Sequence, residues 1–315
     1  MAPPVTLHPV YAAYCENARK LPKFSEQTIP LPKLRELANQ RSKELKNLLE
    51  VMEQDKTVTH NGVEVRLTLF RPPGTQNQSL PVVLFFHGGG WVFGSKHTHV
   101  KPVRDNHVAV VFVDYSLAPE HKYPTAHEES FAALSWVIEN GDSIMVDTNK
   151  LVVAGDSAGG NLSAVISLMA KERGLVDAIK AQILIYPATA GSRENYESPK
   201  LYGNGDYYLN MKDCEFFDNA YWNGIEKTKI GFPLLATQDE LRGLPRALIF
   251  TAEADILRDE GEQYARQLTE AGVSVTCMRV IGAIHGYITV PVVTPAYKQT
   301  MAMITNQLNE VFEKN

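Results

Sequence analysis

Two short stretches carry residue types that together could break an acyl bond. One is Gly155-Asp156-Ser157-Ala158-Gly159-Gly160, which follows the apolar run Lys150-Leu151-Val152-Val153-Ala154. It fits a G-x-S-x-G elbow, in which a strand turns sharply into a helix and presents a serine hydroxyl at the apex. The other is His87-Gly88-Gly89-Gly90-Trp91, which follows Pro81-Val82-Val83-Leu84-Phe85-Phe86. Its glycines let backbone N–H groups approach a developing oxyanion, because no Cβ stands in the way. Either stretch alone is weak, since the serine pattern arises by chance and a glycine run is more often only a turn. Both follow strand-like runs, which makes Ser157 the candidate nucleophile, with Gly88, Gly89, Gly90 and Ala158 as candidate oxyanion donors.

A serine hydroxyl at neutral pH needs a base beside it, oriented by a third group. Of the nine histidines only His285 lies beyond the last predicted strand, 273–280, in Gly282-Ala283-Ile284-His285-Gly286. The acid then belongs at the end of the preceding strand, 246–252, which runs into Glu253-Ala254-Asp255. Asp255 falls in the loop and is preferred, whereas Glu253 still reads as strand end. Asp259 and Glu260 are expected to cap and charge-complement the next helix. The order serine, acid, histidine fits an elbow enzyme and rejects the trypsin-like reading that Gly-Asp-Ser-Ala-Gly-Gly invites.

These loops need a sheet to position them. Strand-like runs at 64–71, 81–87, 108–114, 150–155, 180–186, 246–252 and 273–280 alternate with helical patterns at 125–140, 158–173, 259–271 and 295–313. That alternation predicts an α/β fold. Thr125-Ala126-His127-Glu128 has the spacing of a capping box, and Gly141 and Gly272 sit where helices end. Residues 51–190 and 240–315 read as the catalytic domain. Residues 1–50, with helical patterns near 7–20 and 32–53, read as N-terminal cap helices. Residues 190–240 read as a second cap segment, rich in Tyr207, Tyr208, Phe216, Phe217, Tyr221 and Trp222; core of a helical subdomain is the competing reading of those aromatics.

The motifs resemble those of the hormone-sensitive-lipase family of α/β-hydrolases, microbial esterases of the family IV type. The resemblance is close over about 80–174 and 244–290, through His87-Gly88-Gly89-Gly90-Trp91, Asp114-Tyr115-Ser116-Leu117-Ala118-Pro119-Glu120, the Ser157 elbow, Asp255 with Arg258-Asp259-Glu260, and His285-Gly286. It implies a mainly parallel eight-stranded sheet with helices on both faces and a helical cap. It also implies a triad of Ser157, Asp255 and His285, a loop-positioning role for His87 and a structural one for Asp156. Ser116 stands where the family carries arginine.

The 315-residue chain can bury roughly 75% of its unfolded surface, so it needs no disulfide or metal to hold it. A net charge of −5 without a basic stripe argues against nucleic acid. Cys15, Cys214 and Cys277 are too scattered for a disulfide framework and suit a reducing compartment. No signal peptide or membrane span is evident, so a cytoplasmic location is expected. His97-Thr98-His99 with His107 makes a poor zinc signature, and surface or loop histidines are the expectation. No metal and no cofactor is expected. The expected partner is a small-molecule ester, and a homodimer is permitted but not required. The activity read from this is hydrolysis of short- to medium-chain acyl esters. A non-catalytic receptor on the same fold, or cleavage of amide or thioester bonds, is the alternative.

Overall fold

The structure, a computed structural model, describes residues 5–21, 26–44, 51–99 and 108–313. Eight strands form one sheet: β1 (Met52–His60), β2 (Val63–Arg71), β3 (Leu80–Phe86), β4 (Ala109–Asp114), β5 (Val146–Asp156), β6 (Ile179–Ile185), β7 (Arg246–Ala254) and β8 (Val275–Ile284). Their order in space is β1-β2-β4-β3-β5-β6-β7-β8. β2 runs antiparallel to both β1 and β4, and every other pairing is parallel. The helices are α1 (Pro9–Arg19), α2 (Leu31–Glu44), α3 (Thr125–Asn140), α4 (Ala158–Glu172), α5 (Glu197–Tyr202), α6 (Met211–Tyr221), α7 (Gln238–Leu241), α8 (Arg258–Glu270) and α9 (Pro295–Glu313). The expected α/β-hydrolase architecture is the one observed.

Central strands such as β3 and β4 are almost uniformly apolar because both of their faces are covered. In β7, Ala247 and Ile249 join the cluster around Tyr264 and Leu268 of α8. Leu248 and Phe250, on the other face, join the cluster that contains Ile304 and Leu308 of α9. Alternating side chains thus seat helices on both faces. Among the described residues no helix is long and apolar enough to cross a membrane.

Four local expectations are corrected. β1 stands outside the strand-like runs and takes residues 52–53 from the helical pattern at 32–53; α2 stops at Glu44, and 45–50 lie outside the described residues. β1 is an outer strand in which only Val58 is buried, so it shows little alternation. The Asn61-Gly62 turn, with both residues at positive φ, was the hairpin signal available. Thr125 is the first helical residue of α3 rather than its cap, Pro124 caps without a side-chain bond, and Glu128 pairs with Arg173 instead. Gly141 does end α3 as its C-cap, but right-handed at φ −54°, leading into a 3-10 turn whose left-handed exit falls to Met145; Gly272 closes α8 in the expected left-handed form at φ 82°. Finally, β8 runs on to Ile284, so the segment expected to be loop after 280 is strand.

Arg71, buried at the end of β2, donates to the carbonyls of Ile144, Met145, Thr75 and Gln78. It binds the turn after β2 to the turn before β5. Arg71→Met should lower unfolding stability by about 3 kcal/mol, because four acceptors, two of them in fully buried bonds, lose their donor. Urea unfolding checks this, and an unchanged midpoint would refute it.

Candidate active site

The chemistry-bearing loops leave the carboxyl ends of parallel strands, where α/β sheets assemble sites. His87 to Trp91 follow β3, Ser157 follows β5, Asp255 follows β7 and His285 follows β8. Ser157 has φ 55° and ψ −116°, a backbone state that costs a residue with a side chain roughly 1–3 kcal/mol. Its amide donates to the Ile185 carbonyl at 2.8 Å, and its carbonyl accepts from Asn161 and Ala188. A Cβ at Gly155 would strike the Gly159 carbonyl, and one at Gly159 would strike the Phe86 carbonyl. Only glycines let α4 begin this close to β3 and β5.

The hydroxyl produced by that turn meets its expected neighbours. His285 Nε2 lies 2.9 Å from Ser157 Oγ, and His285 Nδ1 lies 2.8 Å from Asp255 Oδ2. The Leu257 amide donates to Asp255 Oδ1 at 2.9 Å, which fixes the carboxylate in its loop. Asp255 and His285 are buried, while Ser157 keeps partial exposure. Glu253 turns away and accepts from the Gly282 amide at 2.7 Å.

Asp259 and Glu260 do not cap their own helix. Asp259 Oδ2 accepts from the amides of Glu197 and Ser198, at the start of α5. Glu260 Oε1 accepts from Thr189 and Ala190, and its other oxygen pairs with buried Arg193 at 3.0 Å. Both carboxylates serve orphan N–H groups of the segment after β6 rather than those of α8, whose N-cap is Leu257.

Of the four candidate oxyanion donors, Gly88 is already committed: its amide donates to Asp156 Oδ1 at 2.9 Å. The amides of Gly89, Gly90 and Ala158 make no hydrogen bond among the described residues. The Gly89 carbonyl closes the loop by accepting from Val92 and Phe93. His87 is fully buried, stacks on Tyr115 at 4.1 Å between ring centres, and places Nδ1 2.8 Å from the Gly88 carbonyl. Burial, and next the imidazole of His99, push its pKa down to about 3. Burial alone would raise the Asp156 carboxyl, but His99 and the Gly88 amide outweigh it and hold the group below its usual range.

His99 lies in a loop, one of the two places expected for it, but it is buried, and its Nε2 lies 3.3 Å from Asp156 Oδ1. His107 lies outside the described residues, among which no group of three or more metal-type ligands occurs. Ser116 donates from both its amide and its hydroxyl to Glu129, while the guanidinium reaching this corner is that of Arg35 in α2. Arg35 donates to the carbonyls of Val92 and Ala118 and to Glu120. The aromatics after β6 divide: Tyr221 and Trp222 are buried against Trp91, whereas Phe216, Phe217, Tyr207 and Tyr208 stay partly exposed. An open hollow of about 560 Å³ lies at the α8–β8 edge between Glu262, Arg266 and Arg279, away from these groups.

A second buried imidazole, His127, sits with Nδ1 2.8 Å from Tyr221 Oη, and burial lowers its pKa to about 3. The unfolded chain protonates both imidazoles near pH 6.5, the folded chain only near pH 3. Their contribution is therefore complete above pH 6.5 and is lost as the pH falls from there towards 3, by at most about 2.7 kcal/mol per pH unit for the pair. Urea midpoints measured from pH 7.5 down to 4.5 should fall steadily; a rising midpoint would contradict the buried neutral state.

A family model described as alpha/beta hydrolase fold matches residues 83–289. The chain is 38% identical over 274 residues to the carboxylesterase NlhH of Mycobacterium tuberculosis, covering 83% of this chain and 84% of that one. Its structure is similar to that of one of two fungal esterases from Rhizomucor miehei, with a TM-score of 0.93 and 51% identity over 100% of this chain and 99% of the other. It is also similar to a thermostable esterase from Pseudomonas putida, with a TM-score of 0.91 and 36% identity over 99% of each chain.

Proposed function

The chain belongs to the alpha/beta hydrolase family and is a carboxylic ester hydrolase; from that premise we propose that it cleaves short- and medium-chain acyl esters through an acyl-enzyme on Ser157. The observation that carries this reading is the continuous relay from Ser157 Oγ through both nitrogens of His285 to Asp255. Ser157 Oγ attacks the ester carbonyl while His285 Nε2 takes its proton. Asp255 holds the Nδ1–H tautomer and stabilises the imidazolium that forms. The amides of Gly89, Gly90 and Ala158 receive the oxyanion, and Gly88 holds the loop through Asp156. His285 then gives the proton to the leaving alcohol, and water repeats the sequence to release the acid.

The preference for short and medium chains rests on the aromatic segment after β6, proposed together with the N-terminal helices as a cap. The Phe217 ring stands directly over Gly90, where a Cβ would collide with it. Tyr208 approaches Gly286, beside the base, and Tyr14 of α1 packs edge-on to it at 5.2 Å. Rings drawn from two distant segments thus narrow the approach to Ser157.

Ser157→Ala should abolish turnover and labelling by a fluorophosphonate; a fully active variant would refute the mechanism. Asp255→Asn should lower kcat by ~10⁴-fold, since it permits the wrong imidazole tautomer. Glu253→Gln should change kcat by less than about threefold, because its carboxylate faces Gly282 instead. Equal losses at Glu253 and Asp255 would overturn the assignment of the acid. On p-nitrophenyl esters from acetate to palmitate, kcat/KM should peak at short or medium chains and fall at the longest. Efficient turnover of emulsified long-chain esters would contradict the narrow approach.

A further inference from the structure

Asp156 immediately precedes the nucleophile, is only 3% exposed, and takes no part in the proton relay. One of its oxygens, Oδ1, serves two groups: the Gly88 amide at 2.9 Å and His99 Nε2 at 3.3 Å. The other oxygen accepts a long hydrogen bond from Tyr186 at 3.4 Å. The far side of His99 is also fixed, with Nδ1 2.7 Å from Thr98 Oγ1 and the ring packed near Phe85 and His87. Gly88 packs so tightly on Asp156 that a Cβ there would collide with the carboxylate.

We propose that His99 is a positioning residue for ester hydrolysis: by holding Asp156 it sets the Gly88 peptide, and with it the amides of Gly89 and Gly90 that receive the oxyanion. This rests on the serine-hydrolase reading above. A buried carboxylate left without partners either takes up a proton or draws in water. A protonated Asp156 turns from an acceptor into a donor on at least one oxygen, and the Gly88 amide loses its best anchor. Among the described residues, the side chains that can donate to this carboxylate are His99 and Tyr186. His87 is turned to the Gly88 carbonyl instead. Since a substrate's resting carbonyl depends less on these amides than its tetrahedral state does, misaligned amides reduce kcat and leave KM nearly intact.

The test measures kcat and KM of His99→Leu, His99→Gln and His99→Asn on p-nitrophenyl acetate, with Ser157→Ala as control. Removing one oxyanion donor outright costs roughly 10²–10³-fold, so tilting two of them in His99→Leu should lower kcat about 10–100-fold with KM within about threefold. Inhibition by a trifluoromethyl ketone, whose adduct with the serine carries the same oxyanion, should weaken in proportion. In an Asp156→Asn background, His99→Leu should cost less than about threefold, because the two residues act as one unit. A kcat within about threefold of the parent, a loss confined to KM, or full additivity with Asp156→Asn would each overturn the proposal. If His99→Leu does not fold, Gln and Asn decide: Gln reaches Asp156 and should outpace the shorter Asn about tenfold in kcat, and equal values would overturn it. An inactive Ser157→Ala beside a fully active His99→Leu would reject this inference alone. A fully active Ser157→Ala would remove the hydrolase mechanism on which it stands.

Discussion

The turn at Ser157 depends on how closely three backbones can pass. β5 ends, the chain reverses through a left-handed residue, and α4 begins against the carbonyls of Phe86 and Gly155. Side chains at 155 or 159 would force the helix outward and relax the turn that exposes the hydroxyl. The turn's strain is held by bonds on both sides: Ile185 takes the Ser157 amide, and Ala188 and Asn161 reach its carbonyl. The glycine loop after β3 touches the same point, because Phe86 is the last residue of β3. The distance between the Ser157 hydroxyl and the open amides of Gly89 and Gly90 is therefore set mainly by packing of main chain rather than by flexible side chains.

Around that point the buried charges tie separate segments to the sheet. Asp156 connects the elbow to the β3 loop and to His99. Glu260 and Asp259, at the start of α8, collect amides of the segment after β6 and, with Arg193, fasten it beside the site. Arg35 fastens α2 to the carbonyl of Val92, next to Trp91 in the glycine loop after β3. Asp156, Glu260, Asp259 and Arg35 each bond a main-chain partner, whereas Arg193 bonds the carboxylates of Asp218 and Glu260, and these bonds make their burial tolerable. The rings of Phe217 over Gly90 and of Tyr208 near Gly286 hang on segments held in this way.

Legibility in the sequence followed local signal strength. The inner strands could be read because burial on both faces writes a continuous apolar run, as in β3 and the second half of β5, whereas outer β8 shows itself by its β-branched and apolar residues. β1 could not, since an outer strand with one buried side chain carries no such run, and only Asn61-Gly62 marked it. The capping box at Thr125 failed because cap spacing says nothing about where the helix starts, and here it starts one residue early. The carboxylates at 259 and 260 looked like caps of their own helix for a similar reason: their true partners, at 189–198, are distant in sequence.

What the sequence determined by itself was the chemistry available and the local shapes that present it. A serine in a glycine-flanked strand-to-helix turn, glycines after a strand, and a histidine and an aspartate after later strands are all encoded by neighbours in the chain. Tertiary structure decided which of these groups were free to act. It committed the Gly88 amide to Asp156 and left Gly89 and Gly90 open. It turned Glu253 to Gly282 and Asp255 to His285. It also buried His99, expected at the surface or in a loop, beside Asp156. Hydrogen bonds between residues far apart in the chain depend on positions fixed by the whole sheet, and sequence spacing carries no record of those distances.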